Sequence, residues 1–230
     1  MNIKDYTKGS LRPSTALKTI KYKIQFARNN PDYFYPSGIW IFCGPQGAGK
    51  TLSAVQTLKK LCTEYPKAKV CTNLEVKGIT NEIIPFTHYE QIKELSNGIY
   101  GMIFLIDEIH VLWSSLESKD VPISEMAAFC QMRKERRVII GTSQVYTRIA
   151  KPIREQLQYV IDCHNFFNLI QYNQVLDAAY GDEKDGALLA RKICSHIWFH
   201  SVDSYKSYDT LTKIERAKRK KDLFNVRSSR

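Results

Sequence analysis

An α/β fold, a mostly parallel central sheet flanked by helices with an antiparallel addition, follows from three features of the sequence. Short, wholly apolar runs at Gly38 to Cys43 (GIWIFC), Gly101 to Ile106 (GMIFLI), Val138 to Gly141 and Tyr159 to Cys163 read as strands buried on both faces, the mark of parallel pairing. Helical stretches alternate with them, and that alternation covers a sheet with helices on both sides. After residue 165 the pattern turns to strict alternation in Leu169 to Leu176 and Ala190 to Phe199, around a loop from Gly181 to Gly186. Those two segments are expected to form an antiparallel pair at the sheet edge.

In order along the chain, a helix is predicted from Ser14 to Arg28, where Leu17, Ile20, Ile24 and Phe26 recur near helical spacing until Asn29-Asn30-Pro31 closes it. Pro31 to Ser37 reads as a connector. Beyond the first strand, Leu52 to Leu61 is helical, Lys69 to Thr72 and Ile83 to Phe86 are short strand candidates, and Tyr89 to Leu95 is a helix. A further helix is predicted from Ile123 to Glu135 after Pro122. The organisation expected is an N-terminal arm and connector (1–37), a core (38–165), a strand extension of the same domain (166–212) and a basic tail (213–230).

The 230 residues are 43% hydrophobic and 25% charged, which excludes a disordered or fibrous chain and leaves enough apolar surface for a sizeable core. The longest apolar stretch, ending at Ile106, falls far short of the ~20 residues of a membrane span. MNIKDYTKGS lacks the apolar segment of a secretion signal, so a cytoplasmic location is expected. Six scattered cysteines (Cys43, Cys62, Cys71, Cys130, Cys163, Cys194) without a CxxC pair suit reduced thiols. Cys194, His196 and His200 offer only three candidate ligands, too few for a structural zinc site.

The net charge of +11 is carried by the ends. Residues 1–30 hold seven basic and one acidic side chain and residues 213–230 hold eight and two, with an unbroken basic run from Lys218 to Lys221. Such segments gain free energy by displacing counterions from a polyanion, so nucleic acid is the expected partner.

Gly44-Pro45-Gln46-Gly47-Ala48-Gly49-Lys50-Thr51 matches G-x-x-x-x-G-K-[ST] between a buried strand and a helix. There, glycines let main-chain N–H groups close around phosphates and the helix N-terminus of Lys50, Thr51 and Leu52 adds its dipole. Lys50 reaches the terminal phosphates, and the Thr51 hydroxyl is a ligand for Mg²⁺. ATP and Mg²⁺ are the expected cofactors. A carboxylate at the tip of a neighbouring strand completes such a site. Gly101 to Glu108 delivers Asp107 to hold the Mg²⁺ shell and Glu108 to orient or deprotonate the attacking water. The strand ending Gly141-Thr142-Ser143-Gln144 brings Gln144 beside the γ-phosphate if it lies between the other two, as a sensor of nucleotide state. His110 to Leu116 is open to two readings, with Trp113 more simply a core residue than a DNA contact.

These motifs resemble the additional-strand P-loop NTPases, and within them the FtsK and HerA superfamily of DNA-pumping motors. The nearer resemblance is to its viral branch of DNA-packaging ATPases and zonula occludens toxin-like phage assembly proteins. The carriers are Ala68 to Leu74 (AKVCTNL), Ile106 to His110 (IDEIH), Gln131 to Lys134 (QMRK), Thr142-Ser143-Gln144 and Ile153-Arg154-Glu155, across residues 38–160. The resemblance implies an ATP-hydrolysing DNA translocase working as a homo-oligomeric ring, hexamer or pentamer, with ATP between neighbours and an arginine supplied in trans. Arg133 fits the helix-end arginine, with Arg136, Arg137 and Arg148 behind it. It also implies double-stranded DNA as cargo, with single-stranded DNA as a variant, and a capsid or portal vertex protein as partner, in the host cytoplasm or at the virion vertex. Filamentous-phage extrusion ATPases carry a membrane helix after this domain, so packaging into a preformed capsid is favoured. The alternatives are, first, a zonula occludens toxin-like extrusion ATPase of filamentous type, then a small P-loop nucleotide kinase, and last a nucleotide-dependent binding protein that switches partners without turnover.

Overall fold

A computed structural model describes residues 12–113, 131–184 and 187–208. It carries helices α1 (Pro13–Asn29), α2 (Lys50–Glu64), α3 (Gln91–Glu94), α4 (Lys151–Arg154) and α5 (Val202–Lys206). The strands are β1 (Gly38–Cys43), β2 (Lys69–Thr72), β3 (Ile83–Pro85), β4 (Met102–Ile106), β5 (Arg137–Ser143), β6 (Leu157–Phe166), β7 (Ile170–Lys184) and β8 (Ala187–Phe199). The chain divides after Tyr33 into two compact units. The first holds α1, which begins on Pro13 and is closed where the Asn30 main-chain N–H and side chain both donate to Phe26 O. No residue of α1 is buried.

The second unit is built on one eight-stranded sheet in the order β3-β2-β4-β5-β1-β6-β7-β8. All pairings from β3 to β6 are parallel, and β6–β7 and β7–β8 are antiparallel. Strand β5 lies between β1 and β4, with Cys43 opposite Ser143 and Ile106 opposite Gly141. This is the additional-strand arrangement, and it brings the ends of the three apolar runs to one edge.

The apolar runs are apolar throughout because both faces of the sheet are covered. Along β4, Met102, Phe104 and Ile106 pack with Ile109, Trp113, Ile149 and Ile153 on one face. Ile103 and Leu105 pack on the other with Ala54, Val55, Leu58 and Leu61 of α2. Every residue of β4 and β5 is buried. Trp113 is 2% exposed, which settles it as core and corrects any DNA-facing reading of its side chain.

Several boundaries differ from expectation. The helix expected over Tyr89–Leu95 is the single turn α3. The predicted helix Ile123–Glu135 lies outside the described residues up to 130, and Gln131 to Arg136 form turns. The loop expected over Gly181–Gly186 is mostly strand, since Asp182 pairs with Leu189 and Lys184 with Ala187. Residues 209–230, and with them the basic tail, lie outside the described residues.

Candidate active site

Strand β1 ends at Cys43, and the chain turns through Gly44 to Gly49 into α2. Gly49 caps α2 at φ +77°, a left-handed conformation, and a Cβ there would also run into Gln171 Oε1. A Cβ on Gly44, at φ +146°, would meet Cys163 O at 2.7 Å. The loop is therefore wrapped by its own sheet. Pro45 O accepts from Ala48 N at 3.1 Å and from Lys50 Nζ at 3.0 Å, so Lys50 lies folded over the loop it follows.

At the second residue of α2, Thr51 Oγ1 donates to Asp107 Oδ1 at 2.9 Å, across 56 positions of sequence. The same oxygen accepts from Thr142 Oγ1 at 2.7 Å. Asp107 is fixed through its main chain as well: its N–H donates to Asn73 Oδ1 at 2.9 Å and its carbonyl accepts from Asn73 Nδ2 at 3.1 Å. A nearly buried carboxylate is tolerated here because hydroxyl donors satisfy it.

Glu108 follows at φ +53°, ψ +47°, a conformation that non-glycine residues rarely adopt. Its N–H donates to Thr142 Oγ1 at 2.9 Å, and its Oε2 lies 3.2 Å from His110 Nδ1. Ser143 Oγ stands 3.4 Å from that same nitrogen. Burial pulls the His110 pKa below its ordinary value, against the opposing pull of the Glu108 carboxylate.

A cavity of about 430 Å³ opens over these groups. Gln46, Gly47, Gly49, Lys50, Thr51, Leu52, Asp107 and Glu108 line it, so the glycine-rich loop and the two acids share one space. Gly44, Pro45 and Ala48 of the loop are not part of that lining, and neither are Gln144 and Arg133. Gln144 is at the end of β5, where its Oε1 accepts from Arg148 Nη1 at 2.8 Å. Arg133 is exposed in the turn before β5, at the opposite end of that strand from Ser143, a strand length of about 20 Å away at ~3.3 Å per residue.

Arg137 is not available to a neighbour's site, which corrects its place among the candidate trans arginines. It is buried, ion-paired with Glu135, and donates to Lys93 O at 3.0 Å. Arg136 is half-buried, and Arg148 is exposed on the edge of the sheet that carries the site.

The sequence reading overlooked the contribution of the C-terminal strands. Asn165 Nδ2 donates to Gly47 O at 3.1 Å and Gln171 Nε2 to Ala48 O at 2.9 Å, so β6 and β7 hold the loop from behind. Asn165, Asn168, His200, Tyr205 and Tyr208, with Leu74, complete the cavity wall. A signal existed in Gln171 and Asn173, polar residues at alternate positions whose side chains are buried. Of the sulfur and imidazole groups nearby, Cys194 Sγ lies 3.4 Å from His196 Nε2 while His200 turns away to Gln171 and Tyr205. The five described cysteines are free, and burial pushes Cys43 up to about 12. Among the described residues, no helix is long and apolar enough to cross a membrane.

The N-terminal domain of zonular occludens toxin from Neisseria meningitidis matches with a TM-score of 0.54 at 14% identity, over 75% of this chain and 99% of that one, a likeness of fold. The genome packaging NTPase B204 from Sulfolobus turreted icosahedral virus 2, in complex with ATP-gammaS, is similar at 0.49 and 10% identity, over 69% and 99%. B204, the DNA-packaging ATPase from Sulfolobus turreted icosahedral virus, is similar at 0.48 and 11%, over 70% and 100%. No curated protein sequence matches the chain. The pattern of the ATPase family associated with various cellular activities (AAA) matches residues 40–165, more than half of the chain and the segment that builds the site above, and the chain belongs to that family.

Proposed function

We propose that this chain is a Mg²⁺-dependent, DNA-translocating ATPase, a ring-forming motor whose task is to package a viral genome into a preformed capsid. The observation that carries the reading is the 2.9 Å contact between Thr51 Oγ1 and Asp107 Oδ1, with Glu108 next in sequence and Lys50 on the same cavity. Hard oxygen ligands of this kind fit Mg²⁺, and Thr51 and Asp107 would hold it. The ion would supply charge neutralisation on the β- and γ-phosphates.

The remaining work falls to the chain. Main-chain N–H groups of the loop and Lys50 bind the phosphates. Glu108 takes a proton from the attacking water, its carboxylate aimed by the His110 contact and its backbone by Thr142. Gln144, at the end of the strand between β1 and β4, reports nucleotide state through its bond to Arg148. Arg133, too far along β5 to serve its own site, enters a neighbour's as the trans arginine. The DNA part of the reading is supported by the +11 charge concentrated at the two ends, and the capsid by the motif resemblance.

Glu108→Gln tests the assignment. The variant should bind ATP within a few-fold of the native protein and lose DNA-stimulated hydrolysis by ~10²-fold or more, the scale of general-base catalysis. Native hydrolysis in the variant, or a native protein whose ATPase ignores DNA, counts against the motor.

A further inference from the structure

We propose that Tyr205 and His200, set against Asn168, form the subsite for the nucleobase of the nucleoside triphosphate, an assignment that rests on the ATPase reading above. The glycine-rich loop and the two acids account for the phosphate end of the cavity. Its volume, about 430 Å³, is that of a whole small-molecule site, and the rings of His200, Tyr205 and Tyr208 stand in the rest of its wall.

A chain of contacts locates those rings relative to the loop. Gln171, whose Oε1 blocks the space a Cβ on Gly49 would need, accepts from His200 Nε2 at 3.1 Å. His200 Nδ1 lies 2.6 Å from the Tyr205 hydroxyl, and the two rings meet nearly edge to face at 79° with centroids 5.5 Å apart. The pair therefore stands two contacts away from the first turn of α2, on the side of Gly49. Glu108 is held instead by His110 and Thr142, and neither His200 nor Tyr205 contacts it among the recorded bonds.

The platform is rigid. Tyr205 donates to Asn168 O at 2.7 Å, and α5 beneath it is capped reciprocally by Ser201 and Ser204. Past α5, Ser207 O accepts from Lys77 N at 2.8 Å and Tyr208 bridges to Val76. Asn168 sits in a turn whose two central residues, Phe167 and Asn168, have φ of +56° and +53°, with its side chain anchored by Asn165. Tyr205 lines the cavity and keeps half of its surface exposed although its hydroxyl is tied down, which leaves ring surface for a ligand to cover. Aromatic rings with a fixed orientation and an open face are what a base stacks on.

The test is calorimetric titration of the native protein, Tyr205→Ala and Tyr205→Phe with Mg-ATP and with inorganic tripolyphosphate, which has no base. Tyr205→Ala should weaken ATP about 10-fold, the effect of removing one stacking ring, and leave tripolyphosphate unchanged. Tyr205→Phe should retain most of the native affinity for ATP. Unchanged ATP affinity in Tyr205→Ala overturns the subsite, and so does an equal loss for both ligands, which would mean that the phosphate loop had moved. A native protein that binds neither ligand overturns the ATPase reading itself and the subsite with it, an outcome separate from a failure of the subsite alone.

Discussion

Asp107 is held at four points: its carboxylate accepts from Thr51 and Thr142, and its main chain exchanges two bonds with Asn73. Removing the Asn73 amide would leave the main chain of the strand tip without those partners. Asn73→Ala should lower stability by about 1–3 kcal/mol, the cost of stranding partly buried polar groups, and should reduce ATPase turnover more than ATP affinity. Urea unfolding and steady-state kinetics check the two parts. At this scale the sequence was informative where a local motif encodes chemistry. Lys50 and Thr51 are picked out by the glycine-rich motif, Asp107 and Glu108 by the apolar run before them taken together with that motif, and all four line one cavity. The bracing function of Asn73 and Thr142 was not legible, because it depends on β2 and β5 flanking β4, a fact of strand order that no local spacing records. Arg137 illustrates the converse: a basic cluster reads as surface until one of its members proves to point inward.

Between elements, the relation that matters most is that of the β6–β7–β8 extension to the glycine-rich loop. The alternation after residue 165 gave the antiparallel pairing correctly, but not its length or purpose. Gly181 and the charged run after it resemble a loop by composition, yet ladder pairing continues through Lys184 and Ala187. The purpose lies in Gln171, which donates to Ala48 O and to Asn173 Oδ1 while accepting from His200. Gln171→Ala should therefore strand the Ala48 carbonyl in a buried place, lower stability by about 1–3 kcal/mol and weaken ATP several-fold. Denaturant unfolding with and without Mg-ATP measures both effects, since a ligand at free concentration L that binds only the native state stabilises it by RT ln(1 + L/Kd). A midpoint and ligand shift equal to those of the native protein would mean that β7 does not support the loop.

On the scale of the whole molecule, the sheet order joins groups that are far apart in sequence. Placing β5 between β1 and β4 sets the loop after β1 and the acids after β4 at one edge, where a ligand of an open parallel sheet is bound. In the sequence the excess positive charge is concentrated at the two ends, and α1 presents Leu17, Ile20 and Ile24 without burying them. Association into a ring and engagement of DNA are the proposed uses of those parts. Both depend on the convergence at the sheet edge, because a motor without a joint phosphate and metal site has no stroke. A double-mutant cycle on Mg-ATP affinity, using Thr51→Ala, Asp107→Ala and the double variant, measures that convergence directly. If both side chains serve one bound ion, each single change should weaken binding and the double should be little worse than the poorer single, a coupling of about 0.5–3 kcal/mol. Losses that simply add would contradict a shared site.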